Sequence, residues 1–142
     1  MSLHLVNDAN DADGIPLAGR PFAKKYVIER LLGTGGMGTV FEARHARLGS
    51  RVAIKVLGAS LCQVPELVAR FEREARAAGA LSSPHAVKVI DIDVDEEATP
   101  YIVMELLSGH DLSYILDRDG PQPVDRSVRW LLEACHALAE AH

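Results

Sequence analysis

Along the first half of the chain the hydrophobic pattern has a period of two. Tyr26 to Leu32 reads as a strand that leads into a cluster of glycines. Thr39 to His45 alternates, with Thr39, Phe41 and Ala43 on one side and Val40, Glu42 and Arg44 on the other. After the turn signal Leu48-Gly49-Ser50, Arg51 to Leu57 alternates again, with Val52, Ile54 and Val56 facing one way and Ala53, Lys55 and Leu57 the other. Three strands therefore come in succession before any helix, which predicts an antiparallel meander and excludes a βαβ unit.

The period then changes. Pro65 suits a first helical turn, and ELVARFEREARAAGAL carries Leu67, Phe71, Ala78 and Leu81 at helical spacing. At about 100° per residue Glu74 falls in the centre of that stripe. A carboxylate in the middle of an apolar face is costly unless paired, and Lys55, on a strand the helix would cover, is the expected partner. Ala86 to Val94 and Tyr101 to Leu107 read as two further strands, joined through the acidic turn DEEATP. Ser108-Gly109-His110 breaks the pattern, and Asp111 is placed to cap a short helix through Leu116. RDGPQP is a loop, and from Asp125 to His142 a longer amphipathic helix presents Val128, Leu132, Cys135 and Ala139 on one face. Residues 1–20, rich in Asn, Asp and Gly without periodicity, are expected to form a disordered leader.

Composition narrows the function classes. With 142 residues, 48% hydrophobic and a formal net charge of −5, the chain can build one modest core and is not basic enough to make nucleic acid or an anionic membrane its main partner. Cys62 and Cys135 are far apart with no histidine at ligand spacing, so no metal site is expected. No apolar run reaches the ~18 residues of a membrane span and the start lacks a secretory signal, so the cytoplasm is the expected location.

The chemistry is concentrated in the glycines. Gly33, Gly35 and Gly38, with Val40, match GxGxxGxV, a pattern that brings backbone amides near phosphate. A dinucleotide fold would need a helix after the last glycine and an acid about 20 residues on, but β-favouring residues follow Gly38 and the next acid after Glu42 is Glu66. A P-loop would need Lys and Ser/Thr where Thr39-Val40 stand. The flexible hairpin of a protein kinase needs a following strand with a lysine facing the nucleotide, and VAIK at Val52–Lys55 supplies it.

With LGTGGMGTV (32–40), VAIK (52–55), RFEREARAAGALSSPHAV (70–87) and PYIVMELLSGHDL (100–112) in this order, residues 21–142 resemble the N-terminal part of a bacterial eukaryotic-like serine/threonine protein kinase. The resemblance implies an α+β fold: a five-stranded antiparallel sheet plus one helix over 21–107, then a hinge exit and the first two helices of an incomplete helical lobe over 108–142. It implies ATP as ligand, with Leu32, Gly33, Thr34, Gly35, Gly36, Met37 and Gly38 in the loop over the phosphates. Val40 and Ala53 would roof the adenine, and Met104 would guard the pocket behind it. The backbone of Glu105 and Leu107 would meet the adenine edge. Lys55 would contact the α- and β-phosphates and be held by Glu74, while Asp111 is a contact to the ribose or the edge of the peptide site, or else a plain helix cap.

In this family HRDxxxxN supplies the residue that orients the substrate hydroxyl, and DFG the main ligand of Mg2+. Neither occurs in the 142 residues, so the chain by itself is expected to bind ATP without transferring phosphate to a protein substrate. The last helix, its apolar face uncovered, is expected to cause poor solubility or self-association. A non-catalytic nucleotide-binding or docking module is the alternative. A nicotinamide or flavin oxidoreductase is disfavoured by the strand after Gly38 and the missing acid.

Overall fold

The computed structural model describes residues 18–142, so the leader expected over 1–20 lies largely outside the described residues. The part that is described is already tied down. Gly19 N donates to Ile28 O at 2.6 Å, and Ile28 N donates to Arg20 O at 3.1 Å.

The strands are β1 (Pro21–Phe22), β2 (Tyr26–Gly35), β3 (Gly38–His45), β4 (Arg51–Leu57), β5 (Val89–Val94) and β6 (Pro100–Glu105). The helices are α1 (Pro65–Gly79), α2 (Leu112–Asp119) and α3 (Val124–Ala141). The strands form one antiparallel sheet in the order β1-β2-β3-β4-β6-β5. All five anticipated strands are present. The sixth, β1, has only two residues, too few to leave a periodic signal.

The register sorts side chains onto two faces. Phe41, Ala43, Val52, Ile54, Tyr101 and Val103 share one face with Phe22, Tyr26 and Ile28, and all are buried together. No helix among the described residues covers this face; the sheet curls over it. Phe22 and Tyr26 meet Tyr101 edge-on, with ring centroids 5.0 and 6.4 Å apart. Lys25, in the β1–β2 turn, reaches across to Asp93 of β5 at 2.9 Å. The far edge is also blunted: Asp91 and Asp93 each accept from the backbone N–H of the next residue, at 2.9 Å, which occupies donors a second strand would need.

On the opposite face α1 packs Phe71 and Ala75 onto Leu57 and Ile102. Pro65 opens the helix as expected, and the helix ends at Gly79. Neither α2 nor α3 contains a buried residue. No helix among the described residues is long and apolar enough to cross a membrane.

Candidate active site

The candidate residues converge on the face that α1 shares. Val40 is paired with Lys55, and Lys55 with Ile102; two residues along, Glu42 is paired with Ala53, and Ala53 with Met104. Directly opposed residues in antiparallel strands point the same way, so Val40, Lys55, Ala53 and Met104 form a contiguous patch. α1 covers the side of this patch nearest Ile102 and Met104 and leaves Val40 uncovered.

The glycine stretch is a tight hairpin. Gly35 pairs with Gly38 across a turn of Gly36 and Met37, and Thr34 pairs with Thr39. Leu32 sits in a register shift between Leu31 and Gly33, which pairs with Val40. The glycines have unequal roles. Gly38 has φ of +147°, and a Cβ there would overlap the carbonyl oxygen of Val56. At Gly36 a Cβ would meet nothing within 4 Å. The steric need at Gly38 is thus set by the neighbouring strand, a reason the sequence alone did not disclose. The hairpin tip is tethered as well: Gly58 N donates to Met37 O at 3.2 Å, and the Met37 side chain packs against the cluster that contains Phe71.

The expected Lys55–Glu74 ion pair is not made. Glu74 is exposed and accepts from Arg70 Nε at 2.7 Å, one helical turn away. That bond, rather than Lys55, is the main reason its carboxyl lies below the ordinary range; the Lys55 charge acts on it from farther off. Lys55 Nζ rests over the Phe71 ring, 5.8 Å from its centroid, and enters no ion pair among the described residues. The physical reason is helical phase. The stripe that packs is Val68, Phe71 and Ala75, and it is wholly apolar, whereas the expected stripe needed Leu81, which lies beyond the end of α1. With Ala75 at the contact, Glu74 is turned to the rim.

At the other end of the patch, Glu105 closes β6: its Oε1 accepts from Lys88 N at 2.7 Å and its own N–H donates to Lys88 O at 3.0 Å. Leu107 is 69% exposed, and its N–H makes no hydrogen bond among the described residues. Asp111 caps α2, its Oδ1 accepting from Tyr114 N at 2.8 Å.

One residue beside the patch was not singled out from sequence. Glu42, 1% exposed, is clamped between Arg30, at 2.7 Å, and Arg51. It ties β2, β3 and β4 together next to Ala53. The alternation of Thr39–His45 already put it on the side of Val40, but a glutamate sharing that side with Arg44 gave no hint of burial. Among the described residues no group of His, Cys, Asp or Glu is arranged to hold a metal ion.

A glycine hairpin, a lysine on the next strand facing the same patch and a helix packed beside it agree with comparison to known proteins. The family model described as "Protein kinase domain" matches residues 26–142. The chain belongs to the protein kinase domain family. Its relatives include serine/threonine-protein kinase pkn3 of Myxococcus xanthus, 42% identical over 124 residues, which cover 87% of this chain and 23% of that protein. PknB of Mycobacterium leprae is 41% identical over 121 residues, or 83% of this chain and 20% of that one. Among solved structures, the kinase domain of Mycobacterium tuberculosis PknI superposes with a TM-score of 0.75 at 29% identity, covering 90% of this chain and 51% of that one. The kinase sheet and its helix are thus present, and the chain spans about a quarter of the pkn3 length and half of the PknI kinase domain.

Proposed function

We propose that the chain is the ATP-gripping part of a serine/threonine protein kinase, whose complete form transfers the terminal phosphate of ATP to a protein hydroxyl. One observation carries this: Lys55, an ammonium without a carboxylate partner among the described residues, shares a sheet face with Val40, Ala53 and Met104. The exposed, unbonded N–H of Leu107 fits a donor to the adenine edge. In this reading Val40 and Ala53 cover the ring, Met104 limits the space behind it, and the Glu105 carbonyl accepts from it. Lys55 meets the α- and β-phosphates, and the backbone of Gly33 to Gly38 lies over them. Asp111 keeps one carboxylate oxygen beyond its cap for the ribose. When bound, ATP and Mg2+ supply the reactive phosphoryl group; the residues of this chain hold and orient it.

Glu74 steadies Lys55 only after leaving Arg70, so the described state is one in which the lysine is not yet fixed. With neither HRDxxxxN nor DFG among its residues, the chain is proposed to bind ATP without turning it over.

Calorimetric titration with Mg-ATP tests the reading. Lys55→Met should weaken binding about tenfold or more, the expected loss of charge-assisted contacts to phosphate. Equal affinity in the variant, or binding of NAD with none of ATP, overturns it. Incubation with labelled ATP, magnesium and a basic protein should give no transfer; clear turnover overturns the proposed incompetence.

A further inference from the structure

A second concavity lies on the opposite face of the sheet, behind the glycine hairpin, and encloses about 320 Å3. Thr34 to Gly36 form one wall and the turn that follows β4 the other. The floor is apolar, made by Phe41 and Val56, and the β5–β6 turn brings Asp95 and Glu97 to its lining. A space of this size falls at the small end of ligand sites.

Three features define what it would accept. No lysine or arginine lines it, and neither Asp95 nor Glu97 enters an ion pair among the described residues. Asp95 Oδ1 is engaged by the N–H groups of Glu97 and Thr99, at 2.9 and 2.8 Å, and its other oxygen carries no such bond. Independently of the acids, Thr39 is 7% exposed, stands on the side of Phe41 and Val56, lines the groove, and makes no side-chain hydrogen bond among the described residues. Its hydroxyl is not sealed off from the groove, so an occupant can meet it in place of water. The field of Asp95 also reaches inward: after burial itself, its charge is the next cause pushing the Cys62 thiol up.

We propose that this groove is a binding site for a small organic cation, an ammonium or amidinium on a short apolar stem. The charge sits with Asp95 and Glu97, a donor reaches Thr39 Oγ1, and the stem lies on Phe41 and Val56. Because the hairpin is one wall, an occupant grips the loop from behind. On the ATP reading above, on which this last point rests, cation and nucleotide change one another's affinity by the same factor.

The test is an amide NMR titration of the 142-residue chain with benzamidine and phenethylammonium, and with 3-phenylpropionate as an anion of similar stem. Saturable shifts at Thr39, Gly58 and Thr99 with the two cations, and none with the anion, are expected. Thr39→Val and Glu97→Gln should each weaken binding about three- to tenfold while the remaining amide spectrum stays as dispersed as in the parent. Absence of saturable shifts, equal binding of the anion, or parental affinity in both variants overturns the site. Titration without nucleotide keeps this outcome separate from the ATP reading. Repeating the ATP titration with benzamidine present should change its affinity about fivefold; an unchanged value with the site intact overturns the coupling alone.

Discussion

Two helices of this chain carry comparable apolar stripes and meet different fates. α1 buries Phe71 to 1% and Ala75 to 2% exposure against Leu57 and Ile102. α3 buries nothing and leaves Leu131 and Leu138 each 66% exposed. What joins α3 to the sheet region is polar: Glu140 accepts from Ser82 N at 2.7 Å, and the His85 and His136 rings lie 6.0 Å apart. Amphipathicity states a helix's need for a partner, while burial depends on whether a surface of matching shape is within reach. The sheet region meets its needs on both faces, one by curling and one through α1. The segment after Glu105 does not.

The sheet region should therefore break where packing is tight. The largest effect is expected at Gly38. Replacing it with alanine sets a Cβ against the Val56 carbonyl, at a φ that disfavours side chains, and should cost about 3 kcal/mol or more in urea unfolding. Gly36→Ala, two residues away in open space, should stay within about 0.5 kcal/mol. Equal costs would show that the hairpin is not docked on β4.

The helix contrast gives the next test. Phe71→Ala should cost about 3–5 kcal/mol, and Leu132→Ala, at a position 56% exposed, no more than about 0.5 kcal/mol. A comparable loss for Leu132 would mean that α3 packs in solution on something, a second copy included. Sedimentation of Leu131→Glu/Leu132→Glu beside the parent would then show reduced self-association.

The smallest effect sharpens the picture of the curled face. Among the described residues the Tyr101 hydroxyl is buried without a hydrogen-bond partner, and Asp93 is near enough for its charge to be felt. Burial first, and Asp93 second, push the Tyr101 pKa up to about 12. The unfolded chain, with tyrosine near 10, gives up this proton first, so stability should be full below about pH 10 and fall as pH rises towards 12. Tyr101→Phe should be neutral to slightly stabilising at pH 7 and should flatten that alkaline loss. A clear destabilisation at pH 7 would show that the hydroxyl has a partner after all.

Legible in the residues alone were the order along the chain of every strand but β1 and of the helices, the kinase-type glycine hairpin, the side of its strand on which Lys55 lies with Ala53, and the cap at Asp111. Each of these follows from short-range rules: a period of two, a period near 3.6, and turn or cap chemistry within four residues. The rest depends on contacts between distant parts of the chain, made in the folded molecule. They set the phase of α1, because two overlapping stripes share Phe71 and only the fit to β5 and β6, with the helix ending at Gly79, turns Glu74 outward to Arg70. They set the reason for Gly38, which is the carbonyl of a strand 18 residues further on. They also set the curl that brings Lys25 to Asp93 across 68 residues, for no local pattern encodes which distant edge a twisted sheet will meet.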